Sequence, residues 1–416
     1  MNFYSKVKNL FIRNSVTDEK MWNSALWNLQ GMQTSSGEDV NEYTALTYSA
    51  VFNAITLISR TLASLPLHLR RQNNGKNEIA AQHHLYKVLH SVANPMMTAM
   101  TLRETLMAHV LSWGNGYAEI VKNRVGDVIE LWPISPNRVS PNMKNGGLVY
   151  EISVDGSTVS LPKDKILHIA GLGFDGFIGY SIIAMARQGI GLGKAMETFG
   201  ANYFGQGTHP GVIVSHPSKL SDAAQKNLKD SLVSAYSGLG KSHRLMLLEE
   251  GMKLENLGIP PNDSQFLESR QFQIPEIARW FNLPPHKLKD LTKSSFSNIE
   301  SEQISYVTDS LLPWSVCLEQ NFNMQLLTDA EMRSGLYFKH IFEGLLRGNS
   351  VDRADFYSKM FNIGAMSINE IREKEDLNPV EGGDIHLVPL NMTTLENAGK
   401  PIAKEKVNEI TEQKPV

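Results

Sequence analysis

A single cysteine, Cys317, stands among 416 residues. One thiol per chain excludes an internal disulfide framework and any metal site built on paired cysteines, and it fits a protein that folds in a reducing cytoplasm. A surplus of either charge is missing too. Lys and Arg number 40 against 43 Asp and Glu, a formal net charge of −3. Proteins that grip nucleic acid tightly gain affinity from clustered cations that release counterions, so any DNA contact here is expected to be local and weak. No apolar run approaches the roughly 20 residues that cross a bilayer, and no membrane partner is expected. At the start of the chain Lys6, Lys8 and Arg13 interrupt Phe3, Leu10, Phe11 and Ile12, which leaves no signal-peptide core. That stretch reads as a short amphipathic arm or a loosely held end. Internal repeats and low-complexity blocks are absent.

Catalytic signatures are also lacking. There is no H-E-x-x-H, no G-x-S-x-G and no carboxylate pair in an apolar setting. His83, His84 and His90 cluster near Tyr86 at spacings of one, six and seven, whereas helical metal ligands recur every three or four residues. They read as exposed or capping histidines. Gly193–Lys194 has Ala195 where a phosphate-binding loop needs Ser or Thr, and Gln188 where it needs the first glycine. The turn from Gly171 to Gly176 (GLGFDG) does match G-x-G-x-x-G, after a predicted strand and ahead of a helix. Yet no second parallel strand ends in an acid about 20 residues on. Glu197 falls in mid-helix, and the preceding strands are hairpins. A plain strand-to-helix connection is the preferred reading, and a nucleotide-binding enzyme built on this turn is the competing one. No cofactor, metal or catalytic residue is expected.

What is present is a folding composition, 42% hydrophobic and 20% charged, over a length that exceeds one ordinary core. Val51, Phe52, Ile55, Ile58, Leu62 and Leu65 recur at helical spacing and predict a helix over 47–65, stopped by Pro66. Residues 35–41 (SSGEDVN) read as a linker. A second helix is predicted over 101–113, with strands at 67–71, 117–122, 128–132, 148–154, 157–161 and 165–170. Asp155–Gly156 is a strong hairpin signal. The first part of the chain is therefore expected to be α+β with a mostly antiparallel sheet. Residues 181–205 read as one long helix with Met185, Leu192, Met196, Phe199 and Tyr203 on one face and Gly189, Gly191, Gly193 and Gly200 inside it. Each interior glycine costs about 1 kcal/mol relative to alanine, so this helix needs close packing or breaks. Residues 208–262 read as a compact α/β insertion, in which strands 244–249 and 252–257 pair. A helix over 263–282 follows, with Phe266, Ile274, Ile277 and Phe281 on one face and Pro275 expected to kink or restart it. Residues 283–298 (LPPHKLKDLTKSSFSN) read as a loop. A long helix over 299–327 is expected to bend at Pro313, then a strand at 336–341, then short helices at 351–362 and 368–377.

Six stretches in one order carry a family resemblance: WGNGYAEI at Trp113–Ile120, ELWPISPNRVS, DKILHIAG, ANYFGQGTHPGVIV, LLEEGMKLENLGI with DSQFL, and IARWFNLPP. Together they resemble the portal proteins of tailed phages of the lambdoid, long-tailed type, over about residues 45–390. The resemblance implies a ring-forming α+β portal fold. Its parts would be a wing (43–180 and 299–348), two stem helices (181–207 and 263–282), a clip (208–262), a tunnel loop (283–298) and a small helical crown (349–390); the ends carry no resemblance, and their composition reads as an N-terminal arm (1–42) and a disordered tail (391–416). It implies a homo-oligomer, usually of twelve, at one capsid vertex of the virion, assembled in the host cytoplasm. Double-stranded DNA would pass through it, and its partners would be the terminase large subunit, the head–tail adaptor, and the major capsid and scaffolding proteins. On that reading Lys287, Lys289, Lys293, Ser294, Ser295, Phe296 and Asn298 line the channel. Gly189, Gly193, Met196, Phe199, Phe266 and Ile277 pack the stem, with Gly193 suited to close contact with a neighbouring copy. In the clip, Lys226, Lys229, Lys241, His243 and Arg244 read either as docking charges for motor and adaptor or as solubility charges.

Overall fold

The computed structural model describes residues 34–73, 76–144, 147–205, 212–215, 226, 253–256, 263–290, 302–342, 345, 350–375 and 377–387. The chain divides into two compact units, Met1–Phe342 and Glu343–Val416.

The first unit is built on the helix that the periodicity predicts. α1 (Ser49–Ser64) buries Val51, Ile55, Ile58 and Leu62, and Pro66 follows its end. Alternating burial marks β1 (Leu67–Asn73), which turns Leu67 and Leu69 inward and is followed by β2 (Lys76–Ile79). After α2 (His84–His90) and the short pair β3 (Val92–Asn94) and β4 (Met97–Thr98) comes α3 (Ala99–Trp113), which packs against α1. The buried Arg103 of α3 donates from Nη1 to the Leu65 carbonyl at 2.8 Å and so ties α3 to the end of α1. Next come β5 (Asn115–Lys122), β6 (Val128–Ile134), β7 (Val139–Lys144), β8 (Gly147–Val154), β9 (Ser157–Pro162) and β10 (Ile166–Ala170). They form two antiparallel three-stranded sheets, ordered β10-β5-β6 and β7-β8-β9. Asp155 and Gly156 both adopt positive φ, 47° and 80°, in the tight hairpin that joins β8 to β9. The strand β7 was not predicted; it contains Pro141 and lies at the edge of its sheet, where a residue without an N–H is tolerated.

The expected helix 181–205 is two. α4 (Ile182–Met185) ends at Ala186 (φ −83°, ψ 3°), and α5 (Arg187–Gly205) begins at once. On α5 a Cβ at Gly191 would stand 2.6 Å from Thr34 Cγ2, and one at Gly193 would stand 2.8 Å from the Tyr48 ring. The close approach that these glycines permit is therefore to their own chain. Residues 34–42, expected to be in part a linker, are a strap along this helix. Ser35 N–H donates to Gln188 Oε1 at 3.0 Å, Thr198 Oγ1 to Glu38 Oε1 at 3.1 Å and Lys194 Nζ to the Asp39 carbonyl at 3.3 Å. Of the insertion, β11 (Val212–Ser215) and β12 (Lys253–Asn256) pair antiparallel; the strand expected at 244–249 lies outside the described residues. α6 (Asp263–Trp280) continues through Pro275 and packs against α5, with Arg270 Nη2 3.2 Å from Glu197 Oε1. The returning helix starts at residue 302, passes through a π-helical turn (Tyr306–Leu311), and continues as α7 (Leu312–Leu326). α8 (Asp329–Arg333) leads to β13 (Leu336–His340), which pairs with β1 in the register Leu67↔His340 to Arg71↔Leu336. The second unit holds α9 (Ser350–Asn362) and α10 (Ile368–Lys374). A capping box between Ser367 and Glu370 opens α10, and Asn369 bonds the backbone of Val380.

The sheet β10-β5-β6 meets the start of α4 at one node. Gly114, at φ +80°, ends α3, and a Cβ there would strike the Gly179 carbonyl at 2.4 Å. Asn115 donates from Nδ2 to the Gly179 carbonyl at 2.8 Å and accepts the Gly179 N–H at 2.9 Å. Its Oδ1 also meets His168 Nε2 at 3.0 Å, while His168 Nδ1 meets the Tyr150 hydroxyl at 3.1 Å. The network assigns the ring: Nε2–H donates to Asn115, and Nδ1 accepts from Tyr150. Replacing Asn115 with alanine leaves several buried polar groups without partners, at roughly 1–3 kcal/mol each. Asn115→Ala is expected to lower unfolding stability by about 3 kcal/mol, read from urea titration.

Burial pushes His168 and His109 down to about 4 from an ordinary 6.5. Both are neutral in the fold, so their contribution is complete above pH 6.5 and is lost as pH falls from 6.5 towards 4, where only the unfolded chain takes up the protons. Each accounts for at most about 3 kcal/mol. The urea midpoint should fall across this window, and His168→Asn, which cannot titrate, should show a shallower slope.

Candidate functional site

The loop expected at 283–298 begins from a left-handed helix end. Asn282 adopts φ +51° after α6. The Leu283 N–H bonds the Ala278 carbonyl at 2.8 Å, and the Asn282 N–H bonds that of Arg279 at 3.2 Å. This is a Schellman pair, closed by the buried side chains of Leu283 and Ala278. Asn is, after glycine, the residue that enters this conformation at least cost. Pro284 and Pro285 then set a single 3₁₀ turn, Pro285–Leu288, whose Leu288 is buried. The first half of the loop is thus folded onto the protein.

Its lysines separate accordingly. Lys287 turns back: its ammonium lies 4.6 Å from the centre of the Tyr306 ring and bonds Gln303 Oε1. Burial, then Lys289, lowers its pKa. Lys287, expected with Lys289 and Lys293 to line the channel, is half-buried against Tyr306 within the chain. Lys289, at φ +67°, is exposed. Lys293, Ser294, Ser295, Phe296 and Asn298 lie outside the described residues. Asn282, Gln303 and Tyr306 were missed by sequence reasoning. Only Asn282 carried a signal, an Asn directly after a helical pattern and ahead of Leu-Pro-Pro.

Of the stem residues, Ile277 is buried, and Met196 and Phe199 lie with Leu192 at i, i+4 and i+7 on α5. That stripe is half-buried to exposed, and it faces away from the fully buried Ile190. Gly189 would place a Cβ 4.0 Å from Glu276 on α6. Phe266 lies on α6, its side chain outside the described residues. A leucine at Gly193 would meet Tyr48 first and destabilise the protomer itself. Of the clip cations, Lys226 is helical and exposed, and Lys229, Lys241, His243 and Arg244 lie outside the described residues.

The turn from Gly171 to Gly176 binds itself. The Gly171 N–H bonds the Gly114 carbonyl, Asp175 Oδ1 takes the Phe177 and Ile178 N–H groups, and a Cβ at Gly173 would fall 1.8 Å from the Ile178 carbonyl oxygen. The strand before it joins an antiparallel sheet with no βαβ unit, so the dinucleotide geometry is not met. Among the described residues, His83, His84 and Glu331 are the one set whose donor atoms lie within 4.8 Å of one another. Here His83 Nδ1 caps α2 by accepting the Leu85 N–H at 3.3 Å, and Nε2 meets Glu331 Oε1 at 2.7 Å. A metal on Nε2 would move the ring proton to Nδ1, opposite the Leu85 donor. The pair is a clamp between α2 and α8 that sequence spacing could not reveal, since its members are 248 residues apart.

The model of the family described as phage portal protein matches residues 49–376. The portal protein of Enterobacteria phage HK97 is 31% identical over 350 residues, 83% of this chain and 82% of that protein. The crystal structure of an HK97-family phage portal protein from Corynebacterium diphtheriae superposes with a TM-score of 0.55 at 15% identity, covering 76% of this chain and 98% of that one. A chain of the neck of a native gene transfer agent particle, computed with C12 symmetry, superposes with a TM-score of 0.53 at 20% identity, covering 80% and 93%. The matched span and the identity to a portal protein over most of both chains agree: this chain belongs to the phage portal protein family, whose members are structural proteins and not enzymes.

Proposed function

We propose that copies of this chain close into a ring of twelve at one capsid vertex, around a passage through which double-stranded DNA is packaged and later ejected. The twelvefold symmetry of the gene transfer agent neck supports the number. A ring of identical subunits needs two different patches that bind each other, and α5 supplies a candidate for one of them. Its glycines 191 and 193 are filled by Thr34 and Tyr48 of the same chain, while Leu192 is 44% exposed and half-buried Met196 lies one turn on. This apolar surface is the observation that carries the proposal, because exposed apolar area is costly to leave in water.

On this reading the wing is 43–180 with 299–348, the stem 181–207 with 263–282, the clip 208–262, the tunnel loop 283–298 and the crown 349–390. Lys289, repeated around the ring, gives the passage a cationic belt in a subunit of net charge −3. Contacts to phosphate specify no sequence, which suits a conduit for any genome. The clip cations Lys226, Lys229, Lys241, His243 and Arg244 dock the terminase large subunit and then the head–tail adaptor, and the wing meets the major capsid and scaffolding proteins.

Electron microscopy and native mass spectrometry of the purified protein should reveal hollow rings. Leu192→Asp should give protomers of unchanged melting temperature; rings that persist in this variant would remove α5 from the interface. Lys289→Glu should keep the ring and reduce the DNA packaged per particle several-fold, measured by quantifying encapsidated genomes. Wild-type packaging by Lys289→Glu would take the belt out of the passage.

A further inference from the structure

The foot of the returning helix holds one residue more per turn than an α-helix. The Leu312 N–H bonds the Val307 carbonyl, five residues back, and Tyr306–Leu311 is π-helical. Such single turns occur where a helix must absorb an extra residue, frequently at functional places. Here the cause is visible. Pro313 has no N–H, so the Asp309 carbonyl loses the donor that an α-helix would give it. Asn282 replaces that donor, with Nδ2 2.9 Å from the Asp309 carbonyl oxygen. The Ser310 hydroxyl in turn donates to the Asn282 carbonyl. The π turn is also held from α1, where the Tyr306 hydroxyl donates to Thr61 Oγ1 at 3.0 Å.

The same turn is where the loop re-enters the fold. Ahead of the loop, Lys287 lies over Tyr306 and on Gln303, and His286 Nδ1 lies 2.5 Å from Glu302 Oε2. Both ends of the segment between Asp290 and Glu302 are therefore fastened to each other, and Asn282 fastens that foot to α6.

We infer that Asn282 is a positioning residue for the loop: by supplying the donor that Pro313 lacks, it holds the π turn in place and thereby sets the register at which the loop returns. If the turn relaxed to α-helix, the residues ahead of it would move along the axis by about 1.5 Å and rotate by about 100°. One hydrogen bond thus selects between two positions of everything the loop carries. The consequence for DNA passage rests on the proposal that this loop faces the channel; the clasp itself does not.

Two substitutions separate the clasp from general stability. Asn282→Gly keeps the left-handed backbone, which glycine adopts freely, and removes only the amide. Pro313→Ala restores the missing N–H, so that the Asp309 carbonyl no longer needs Asn282. Amide hydrogen exchange of the assembled protein is the readout. Asn282→Gly should speed exchange in Tyr306–Leu312 several-fold, the loss of one solvent-exposed hydrogen bond to the Asp309 carbonyl, with other helices unchanged. The same substitution in the Pro313→Ala background should have little effect. Equal acceleration in both backgrounds, or none in either, overturns the inference.

Encapsidated DNA per particle distinguishes this inference from the channel reading. With the clasp intact in its physics, Asn282→Gly should assemble normal rings that package less DNA. Coupled exchange with normal packaging in both Asn282→Gly and Lys289→Glu overturns the channel reading and leaves the clasp. Reduced packaging in Lys289→Glu without coupled exchange overturns the clasp and leaves the channel.

Discussion

The amide of Asn115 is the constraint on which the first unit depends. A carboxamide offers two donors and an acceptor oxygen with two lone pairs, and Asn115 uses them to bind the Gly179 backbone in both directions and to orient His168. Through Gly179 it fixes where α4 begins, one residue pair before the Ser181 cap. Through His168 and Tyr150 it reaches the β7-β8-β9 sheet. Two sheets and the start of α4 are thereby set by one side chain whose surroundings exclude water. The glycines beside it are a requirement of the same geometry, because Gly114 and Gly179 approach each other too closely for any Cβ.

A second theme is that polar groups at helix interruptions find partners from distant segments. Where Pro313 removes a donor, Asn282 supplies one. Where α5 carries glycines instead of side chains, Thr34 and Tyr48 fill the space. The strap of residues 34–42 adds hydrogen bonds at Gln188, Lys194 and Thr198. Each interruption would be costly in an isolated helix and becomes a fixed point in the folded one. α5 is therefore stiffened at its glycines by its own chain.

Local rules were legible in the sequence, and long-range pairings were not. The period of Val51, Ile55, Ile58 and Leu62 placed α1, and Asp155–Gly156 placed the β8–β9 hairpin, because both signals act within a few residues. The order of six short stretches gave the family. The orientation of Lys287 was not legible, because it depends on Tyr306, which follows only after the chain has gone out and back. Residues 35–41 misled for the same reason: a polar, glycine-containing run looks like a linker until the helix that it straps is in place. His83 and Glu331 show the limit most plainly, as no spacing rule connects residues so far apart.

The pairing of β13 with β1 has a consequence for synthesis. β1 is complete once residue 73 is made, but one of its two edges waits for residues 336–340. At roughly 5–20 residues per second of translation, that edge stays open for some tens of seconds or less. A nascent chain in that interval has an unfinished sheet and no settled outer surface. The sheet is therefore completed only when about four-fifths of the polypeptide has been made.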